Sequence, residues 1–187
     1  MYLNCHSYYS LRYGTLSIQQ LVATAARCGV QALALTDINA TTGVFDFIRA
    51  CRAAKIKAIV GIEFRRDNQC LYIALAKNHT GFYEMNRHLS RYNITEKPLP
   101  CAAPEFSNVI VIYPLDKAPQ FLRPFEYIGI RIEELLSLRR SPVCHLAHRY
   151  VVLHPVTFSS PKEYTLHRLL RAVDYNTLYT KIQPEQC

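Results

Sequence analysis

The sequence lacks the features that mark secreted, membrane-spanning or disordered proteins. It has no signal peptide, no long apolar span, no low-complexity tract and no block of like charge long enough to form a basic tail. Its seven cysteines include no C-x-x-C pair, and several lie in apolar runs, where a free thiol acts as a small hydrophobe. We therefore expect a reduced, soluble, cytoplasmic protein with no membrane partner.

The length and the apolar content are sufficient for one folded domain over residues 1–187. Half of the residues are hydrophobic, and two complete domains would have little room for separate cores. The formal net charge of +8 suits a polyanionic partner such as nucleic acid, but it also suits a generic basic protein. The sequence stops at Pro184–Cys187 without completing an element, so we expect the N-terminal fragment of a longer chain.

Residues 32–64 contain a strand–helix–strand pattern in which both strands end in a carboxylate. The apolar run Ala32–Leu35 is followed by Asp37, a helix-period segment comes next, and the run Ile59–Ile62 ends in Glu63. In a parallel sheet the two strand ends lie at the same edge, where α/β proteins build their sites, so both carboxylates are candidate site residues. Capping of a helix N-terminus is the alternative role for each of them.

Strand-like and helix-like segments alternate along the chain. Ser17–Cys28 is predicted to be a helix with a capping box, Asn78–Arg91 a helix capped by Thr80, and Lys162–Val173 a helix that begins at Pro161. The seven candidate strands are Tyr2–Cys5, Ala32–Leu35, Ile59–Ile62, Cys70–Ala76, Val109–Tyr113, Tyr127–Ile132 and Arg149–Leu153. The fourth is expected to pair antiparallel with the third. The pattern favours an α/β fold with a largely parallel sheet that closes into a TIM-like barrel.

Four ordered motifs, mostly in the first half of the chain, resemble the PHP (polymerase and histidinol phosphatase) domain. They are N-C-H-S-Y-Y-S at 4–10, A-L-A-L-T-D-I-N at 32–39, G-I-E at 61–63 and A-L-A-K-N-H-T-G-F-Y-E-M at 74–85. The last motif is similar to a segment of the polymerase branch, the N-terminal PHP domain of bacterial DNA polymerase III alpha subunits. The resemblance implies a distorted (β/α)7 TIM-like barrel of the PHP type. It also implies a cluster of His, Asp and Glu ligands for Zn, Mn or Fe at the strand ends.

The sequence departs from the family pattern at most of these ligand positions. The resemblance assigns ligand positions to His6 and Glu63, which are present, and Asp37 lies beside a position that is lost. The positions without the expected ligand hold Asn4, Tyr13, Ile38, Leu71, Pro155 and Thr157. Because two or three ligands cannot hold a multinuclear centre, we expect a degenerate site with no catalytic residues and no cofactor, and a single Zn or Mn ion at His6 and Glu63 is the alternative left open. Replacement ligands are the alternative, with the candidates His79, His88, His145, His148 and His154.

The resemblance implies a structural, non-catalytic PHP domain in a replicative DNA polymerase. Nucleotide transfer with Mg²⁺ would belong to the polymerase core of the parent chain. The domain would contact that core, offer a surface to a proofreading exonuclease, and reach DNA through the parent protein. One alternative is an active metal-dependent phosphoesterase or 3′–5′ exonuclease of the same fold. Another is a module that binds single-stranded DNA through Tyr8, Tyr9 and Arg12.

Overall fold

A curled β-sheet with flanking helices forms the centre of the fold in the computed structural model, which describes residues 1–183. The strands are β1 (Asn4–Cys5), β2 (Ala32–Leu35), β3 (Lys57–Arg66), β4 (Gln69–Ala76), β5 (Val109–Pro114), β6 (Glu126–Ile130), β7 (Tyr150–Val152) and β8 (Pro155–Val156). The helices are α1 (Ile18–Arg27), α2 (Val44–Ala53), α3 (His79–Thr95), α4 (Leu135–Leu138) and α5 (Pro161–Asp174). Residues 184–187, which include Cys187 and the expected fragment end, lie outside the described residues.

The sheet mixes parallel and antiparallel pairs. Six strands hydrogen-bond in the order β2-β3-β4-β5-β6-β7, in which β3–β4 and β4–β5 are antiparallel and the other neighbours are parallel. β1 pairs in parallel with β8, and Tyr2 forms a bridge with Leu33 of β2. The result is an α/β fold whose mixed sheet curls into a half-barrel. The predicted α/β class and the predicted antiparallel pairing of 70–76 are both confirmed.

β3 is longer than its apolar run predicts. It extends over Lys57–Arg66 and turns into β4 through Asp67 and Asn68, whose φ angles are 51° and 62°. The prediction that this strand ends at Glu63 is wrong, because hydrogen bonding to β4 keeps the next three residues extended. Arg65 therefore lies on the same strand as Glu63, two residues further along.

Side-chain caps fix the starts of α1 and α3. Ser17 Oγ accepts a hydrogen bond from the Gln20 amide at 3.2 Å, and the Gln20 side chain accepts one from the Ser17 amide at 2.9 Å. The predicted capping box of α1 is confirmed. α3 starts after Asn78, whose side chain accepts a hydrogen bond from the Gly81 amide at 3.0 Å. Thr80, the predicted cap, lies inside the helix, so that prediction is wrong.

Apolar side chains form a core on each side of the sheet. One cluster packs α1 and α2 against β2, and another packs α3 against β3, β4 and β5. A third cluster joins buried side chains of β2, β4 and β5 to Leu153.

Among the described helices, none has both the length and the apolar character needed to cross a membrane.

α5 turns polar side chains inward and apolar side chains outward. His167 and Arg171 are 1% and 2% exposed, whereas Leu169 and Val173 are 50% and 59% exposed. The two buried polar residues are four positions apart and therefore share one face of the helix. That face covers Tyr13, and the contacts are described below.

Candidate functional site

The candidate site lies at the ends of β1 and β2, beside Glu63 in β3. Asn4 belongs to β1, His6 follows β1, Asp37 follows β2, and Glu63 lies within β3. All four side chains are buried, with exposed fractions between 0% and 2%. Buried polar groups must be hydrogen-bonded to be stable, so the partners of each side chain define what the site can do.

Three nitrogen donors converge on the carboxylate of Glu63. Asn4 Nδ2 lies 2.9 Å from Oε2, and His6 Nε2 lies 2.9 Å from the same oxygen. Arg65 Nε donates to the other oxygen, Oε1, and the Arg65 side chain is only 13% exposed. Three of the roughly four acceptor sites of the carboxylate are therefore used by amide, imidazole and guanidinium groups of this chain.

The pKa of Glu63 follows from these contacts. Burial by itself raises the pKa of the carboxyl, but the charge of Arg65 and then the charge and hydrogen bond of His6 outweigh burial. The pKa therefore lies well below its ordinary value, and Glu63 is ionised at neutral pH. Burial lowers the pKa of Arg65, but Glu63 and Tyr13 raise it above the ordinary value, so the guanidinium stays charged.

The hydrogen bonds also determine which nitrogen of His6 carries hydrogen. An ionised carboxylate only accepts, so His6 Nε2 donates to Glu63. His6 Nδ1, 3.2 Å from Thr157 Oγ1, then accepts from that hydroxyl when the imidazole is neutral. Asn4 is held in the same sense, because its Oδ1 accepts from the Thr36 hydroxyl at 2.9 Å and its NH₂ group faces Glu63.

Asp37 anchors the loop after β1. Its carboxylate accepts hydrogen bonds from the Ser7 amide, the Ser7 hydroxyl and the Ser10 hydroxyl, each at 2.7 Å. Ser10 Oγ in turn accepts from the Ile38 amide at 3.0 Å. The alternative that Asp37 caps the next helix is wrong, because α2 begins after Gly43 with no side-chain cap. Asp37 does lie next to Glu63, because Ile38 forms a parallel bridge with Glu63 within β3, and each carboxylate has its own hydrogen-bonding partners.

Tyr13 stands at the centre of a second group of contacts. Its ring is 8% exposed and has the guanidinium carbons of Arg65 and Arg171 at 4.2 and 5.1 Å from its centroid. The rings of His6 and His167 meet it edge-on, with centroids at 5.1 and 4.8 Å. Tyr13 is therefore the packing link between the Glu63 cluster and α5.

His167 holds α5 against the loop that carries Tyr13. Its Nδ1 donates to the Tyr13 carbonyl at 2.7 Å, and within residues 1–183 its buried Nε2 has no hydrogen-bond partner. Burial lowers the pKa of His167, the hydrogen bond to Tyr13 opposes this, and the nearby charge of Arg171 lowers it further. The imidazole is therefore neutral at pH 7.

The remaining positions without family ligands have structural roles. Thr157 is 6% exposed and contacts His6 as described, while Pro155 lies opposite Asn4 in the β1–β8 pair. Leu71 is 3% exposed and belongs to the apolar cluster beneath α3. Of these three side chains, Thr157 contacts the His6–Glu63 pair.

The five candidate replacement histidines are dispersed. His88 contacts the Tyr72 hydroxyl through Nε2 at 3.0 Å, and His154 is exposed beside Tyr2. The other three are also exposed: His79, His145 and His148. Across the described part of the chain, no group of three or more His, Cys, Asp or Glu side chains is arranged to hold a metal ion.

The residues present do not fit the multinuclear metal centre that the family pattern implies. A metal ion needs lone pairs, whereas His6 Nε2, Asn4 Nδ2 and Arg65 Nε all present N–H groups to Glu63. The cluster is centred on an anion instead of a cation. A guanidinium carries a permanent positive charge and would repel a divalent ion at the same carboxylate.

Comparison with known proteins identifies the family. The model of the PHP domain matches residues 3–141. The chain belongs to the PHP domain family. It is also distantly and partially homologous to the N-terminal region of DNA polymerase III alpha subunits.

Three polymerases illustrate that relationship. The chain is 41% identical over 96 residues to the DNA polymerase III subunit alpha of Treponema pallidum, over 44% of this chain and 8% of that protein. It is 34% identical over 91 residues to that of Bacillus subtilis, covering 46% and 8%. It is 34% identical over 89 residues to an error-prone DNA polymerase of Pseudomonas paraeruginosa, covering 48% and 9%. The chain spans less than a tenth of the length of these curated relatives.

Two solved structures are similar at low score. A putative metal-dependent phosphoesterase from Bifidobacterium adolescentis has a TM-score of 0.35 at 21% identity, covering 50% of this chain and 34% of that chain. An amidohydrolase from Chromobacterium violaceum, with bound sulfate and no metal, has a TM-score of 0.40 at 13% identity, covering 94% and 84%. Neither likeness bears on function at these scores.

The residues that surround His6 and Glu63 in this PHP domain were not predicted from the sequence. Arg65 is two residues after Glu63, and alternation along a strand puts such residues on one face, so its position was a usable signal. No sequence signal indicated that His167 and Arg171 are buried. They lie on the polar face of an amphipathic helix, and the apolar face is the one normally expected to be buried.

The three residues suggested to bind single-stranded DNA differ in their exposure and in their contacts. Tyr8 is 43% exposed and its ring contacts Tyr9, with centroids 4.5 Å apart. Tyr9 packs against the first cluster, beside Gly43. The Arg12 side chain is 62% exposed and lies 3.6 Å from Asp174 of α5. Tyr8 and Arg12 are thus the accessible members of the three.

Proposed function

We propose that this chain is a non-catalytic PHP domain of a bacterial replicative DNA polymerase III alpha subunit, a cytoplasmic DNA-directed DNA polymerase. In this role it supports the polymerase core of the parent chain and offers a surface to a proofreading exonuclease subunit. Nucleotide transfer with Mg²⁺ and contact with DNA belong to the parent protein. The proposal includes the finer description of the fold as a distorted (β/α)7 barrel.

One observation carries the non-catalytic role. The carboxylate of Glu63 is engaged by N–H groups of Asn4, His6 and Arg65. Metal-dependent phosphoester hydrolysis needs a metal to orient the substrate and to activate a water molecule. In this site N–H groups already use three of the roughly four acceptor positions of the carboxylate, and these N–H groups have no lone pair to offer to that ion.

The link to a polymerase rests on the family match and on the partial homology to polymerase alpha subunits. The barrel description is supported by the chain around residues 150–156. The Leu153 amide donates to the Ile130 carbonyl at 2.9 Å, and the His6 amide donates to the Val156 carbonyl at 2.8 Å. This short segment thus joins β6 on one side to β1 on the other, as a closing strand would.

The catalytic part of the proposal is tested by assaying p-nitrophenyl phosphate hydrolysis and single-strand 3′–5′ exonuclease activity in Mn²⁺ and in Zn²⁺. The expected result is that the wild-type chain and Glu63→Gln have the same background rate, since Glu63 does not serve a metal. Turnover above background that Glu63→Gln abolishes would contradict the proposal. It would support the alternative, a metal-dependent phosphoesterase or proofreading exonuclease of the PHP family.

The partner is tested separately. The chain is mixed with the exonuclease subunit encoded in the same genome and analysed by size-exclusion chromatography. Co-elution is the expected result. The control for nonspecific apolar contact is Phe45→Ser, because it removes an apolar side chain on α2 that is 71% exposed. Separate elution of the two wild-type proteins would remove the exonuclease from the proposed role.

A further inference from the structure

Arg65 occupies a position that is unusual for an arginine. Its side chain is 13% exposed and contacts Glu63, which is 1% exposed, through Nε. On its other side the guanidinium carbon lies 4.2 Å from the centroid of the Tyr13 ring. The positive charge is therefore held between a carboxylate and an aromatic face, both of which favour a cation.

The position of Tyr13 extends this arrangement. It stands where the family pattern has an acidic residue, and an aromatic ring there offers a face to a cation without adding a negative charge. Arg171 approaches the same ring at 5.1 Å and is paired with Asp174 at 2.7 Å. α5 thus closes over a site that already contains a cation.

A buried carboxylate needs a compensating charge. Glu63 lies among 0–2% exposed side chains, and an ionised carboxylate without a partner is strongly destabilised in such surroundings. In a metal centre the ions supply that charge, whereas here the guanidinium of Arg65 supplies a permanent positive charge beside the N–H groups of Asn4 and His6. The charge requirement of the site is thereby met from within the chain.

We propose that Arg65 is the built-in cation of this site. Its guanidinium takes the place of a metal ion, excludes divalent metal from the His6–Glu63 pair, and stabilises the fold as the ion would. This deepens the proposed non-catalytic function and rests on it. With Arg65 removed, Glu63 gains a vacant oxygen and His6 can turn its Nε2 lone pair to a metal, with Nδ1 donating to Thr157. The pair then takes up Zn²⁺ or Mn²⁺.

The proposal differs from the view that missing ligands alone exclude metal. On that view Arg65 has no role in excluding metal, and a chain without Arg65 binds no more metal than the wild-type chain. The two views are separated by Arg65→Met, which keeps an unbranched side chain and removes the charge. The matched control is Arg66→Met, because Arg66 is adjacent on β3 and its ion pair is with the 90% exposed Asp67.

The experiment measures Tm in EDTA and in ZnCl₂ or MnCl₂, together with metal equivalents after gel filtration. At a metal concentration tenfold above the dissociation constant, Tm of Arg65→Met should rise by about 3–6 °C. The wild-type chain, Arg66→Met and the double variant Glu63→Gln/Arg65→Met should not shift. Should Arg65→Met be unfolded in EDTA, recovery of the fold on refolding with metal supports the proposal.

Two outcomes overturn the proposal and are distinguishable from failure of the proposed function. A folded Arg65→Met that neither shifts nor retains metal refutes the role of Arg65 and leaves the non-catalytic function intact. The same holds for an Arg65→Met that metal does not refold while the double variant folds. A wild-type chain that itself retains metal and shifts contradicts both proposals.

Discussion

Removing the charge of Arg65 should destabilise the fold more than removing any exposed arginine. The partner, Glu63, is 1% exposed, and the Arg65 side chain is 13% exposed. Removing one partner of such a buried pair leaves the carboxylate with its hydrogen bonds from Asn4 and His6 but without its permanent counter-charge, which costs about 3–5 kcal/mol. Arg49→Met is the control, because the Arg49 side chain is 82% exposed and its ion pair with the 50% exposed Asp46, at 3.8 Å, contributes at most about 1 kcal/mol.

The double variant Glu63→Gln/Arg65→Met isolates the pair from packing effects. Because it removes both charges, it should be more stable than the sum of the single losses predicts, by about 1–3 kcal/mol. The free energies of unfolding are measured by urea denaturation followed by far-ultraviolet circular dichroism, in EDTA at pH 7. A loss below about 1 kcal/mol for Arg65→Met, or additive single losses, would refute the reasoning.

The same pair makes a prediction for pH. The folded pKa of Glu63 is lower than that of the unfolded chain, whose ordinary value is 4.5. The stabilisation is therefore fully present above about pH 4.5 and is lost as the pH falls toward the folded pKa. As the pH is lowered from 7 to 3, the free energy of unfolding of the wild-type chain should therefore fall relative to that of the double variant. A difference that stays constant with pH would contradict this assignment.

Three further predictions concern the surroundings of the site. Asp37→Asn should cost about 2–4 kcal/mol in urea unfolding, because three donors lose a charged acceptor, whereas exposed Asp46→Asn should cost under about 0.5 kcal/mol. Gly14→Ala should prevent folding, judged by circular dichroism, because its Cβ would lie 1.7 Å from the Ser7 carbonyl oxygen. Iodoacetamide at pH 8 should leave Cys5 unlabelled in mass spectrometry, since burial raises its pKa to about 12. Among the cysteines of residues 1–183, the exposed thiols expected to label are those of Cys28, Cys101 and Cys144.

Local sequence patterns predicted the parts of the fold that local physics determines. The capping box at Ser17 and Gln20 needs only neighbouring residues, and it is present. The alternation of strand-like and helix-like segments predicted the α/β class and put Asp37 near Glu63, although Glu63 lies within β3 and not at its end. The ends of elements were less accurate, as at β3, because pairing with a distant or following strand extends a segment beyond its apolar run.

The partners of the site residues depend on tertiary packing and were not predictable in the same way. Tyr13 is brought to Glu63 by a loop, and Arg171 reaches Tyr13 from α5, 158 positions along the chain. α5 is the clearest case, because its apolar residues Leu169 and Val173 are exposed while His167 and Arg171 are buried. A helix that covers a polar site follows the polarity of that site and not the usual rule for a hydrophobic core.

The metal content of the wild-type chain tests the central claim most directly. The protein is purified without chelator, and Zn, Mn and Fe are measured per chain by plasma mass spectrometry. We predict less than about 0.1 equivalent of each, since Glu63 is engaged by N–H donors of the chain itself. One or more equivalents that Glu63→Gln removes would contradict the account, because Glu63 would then be a ligand in the native protein.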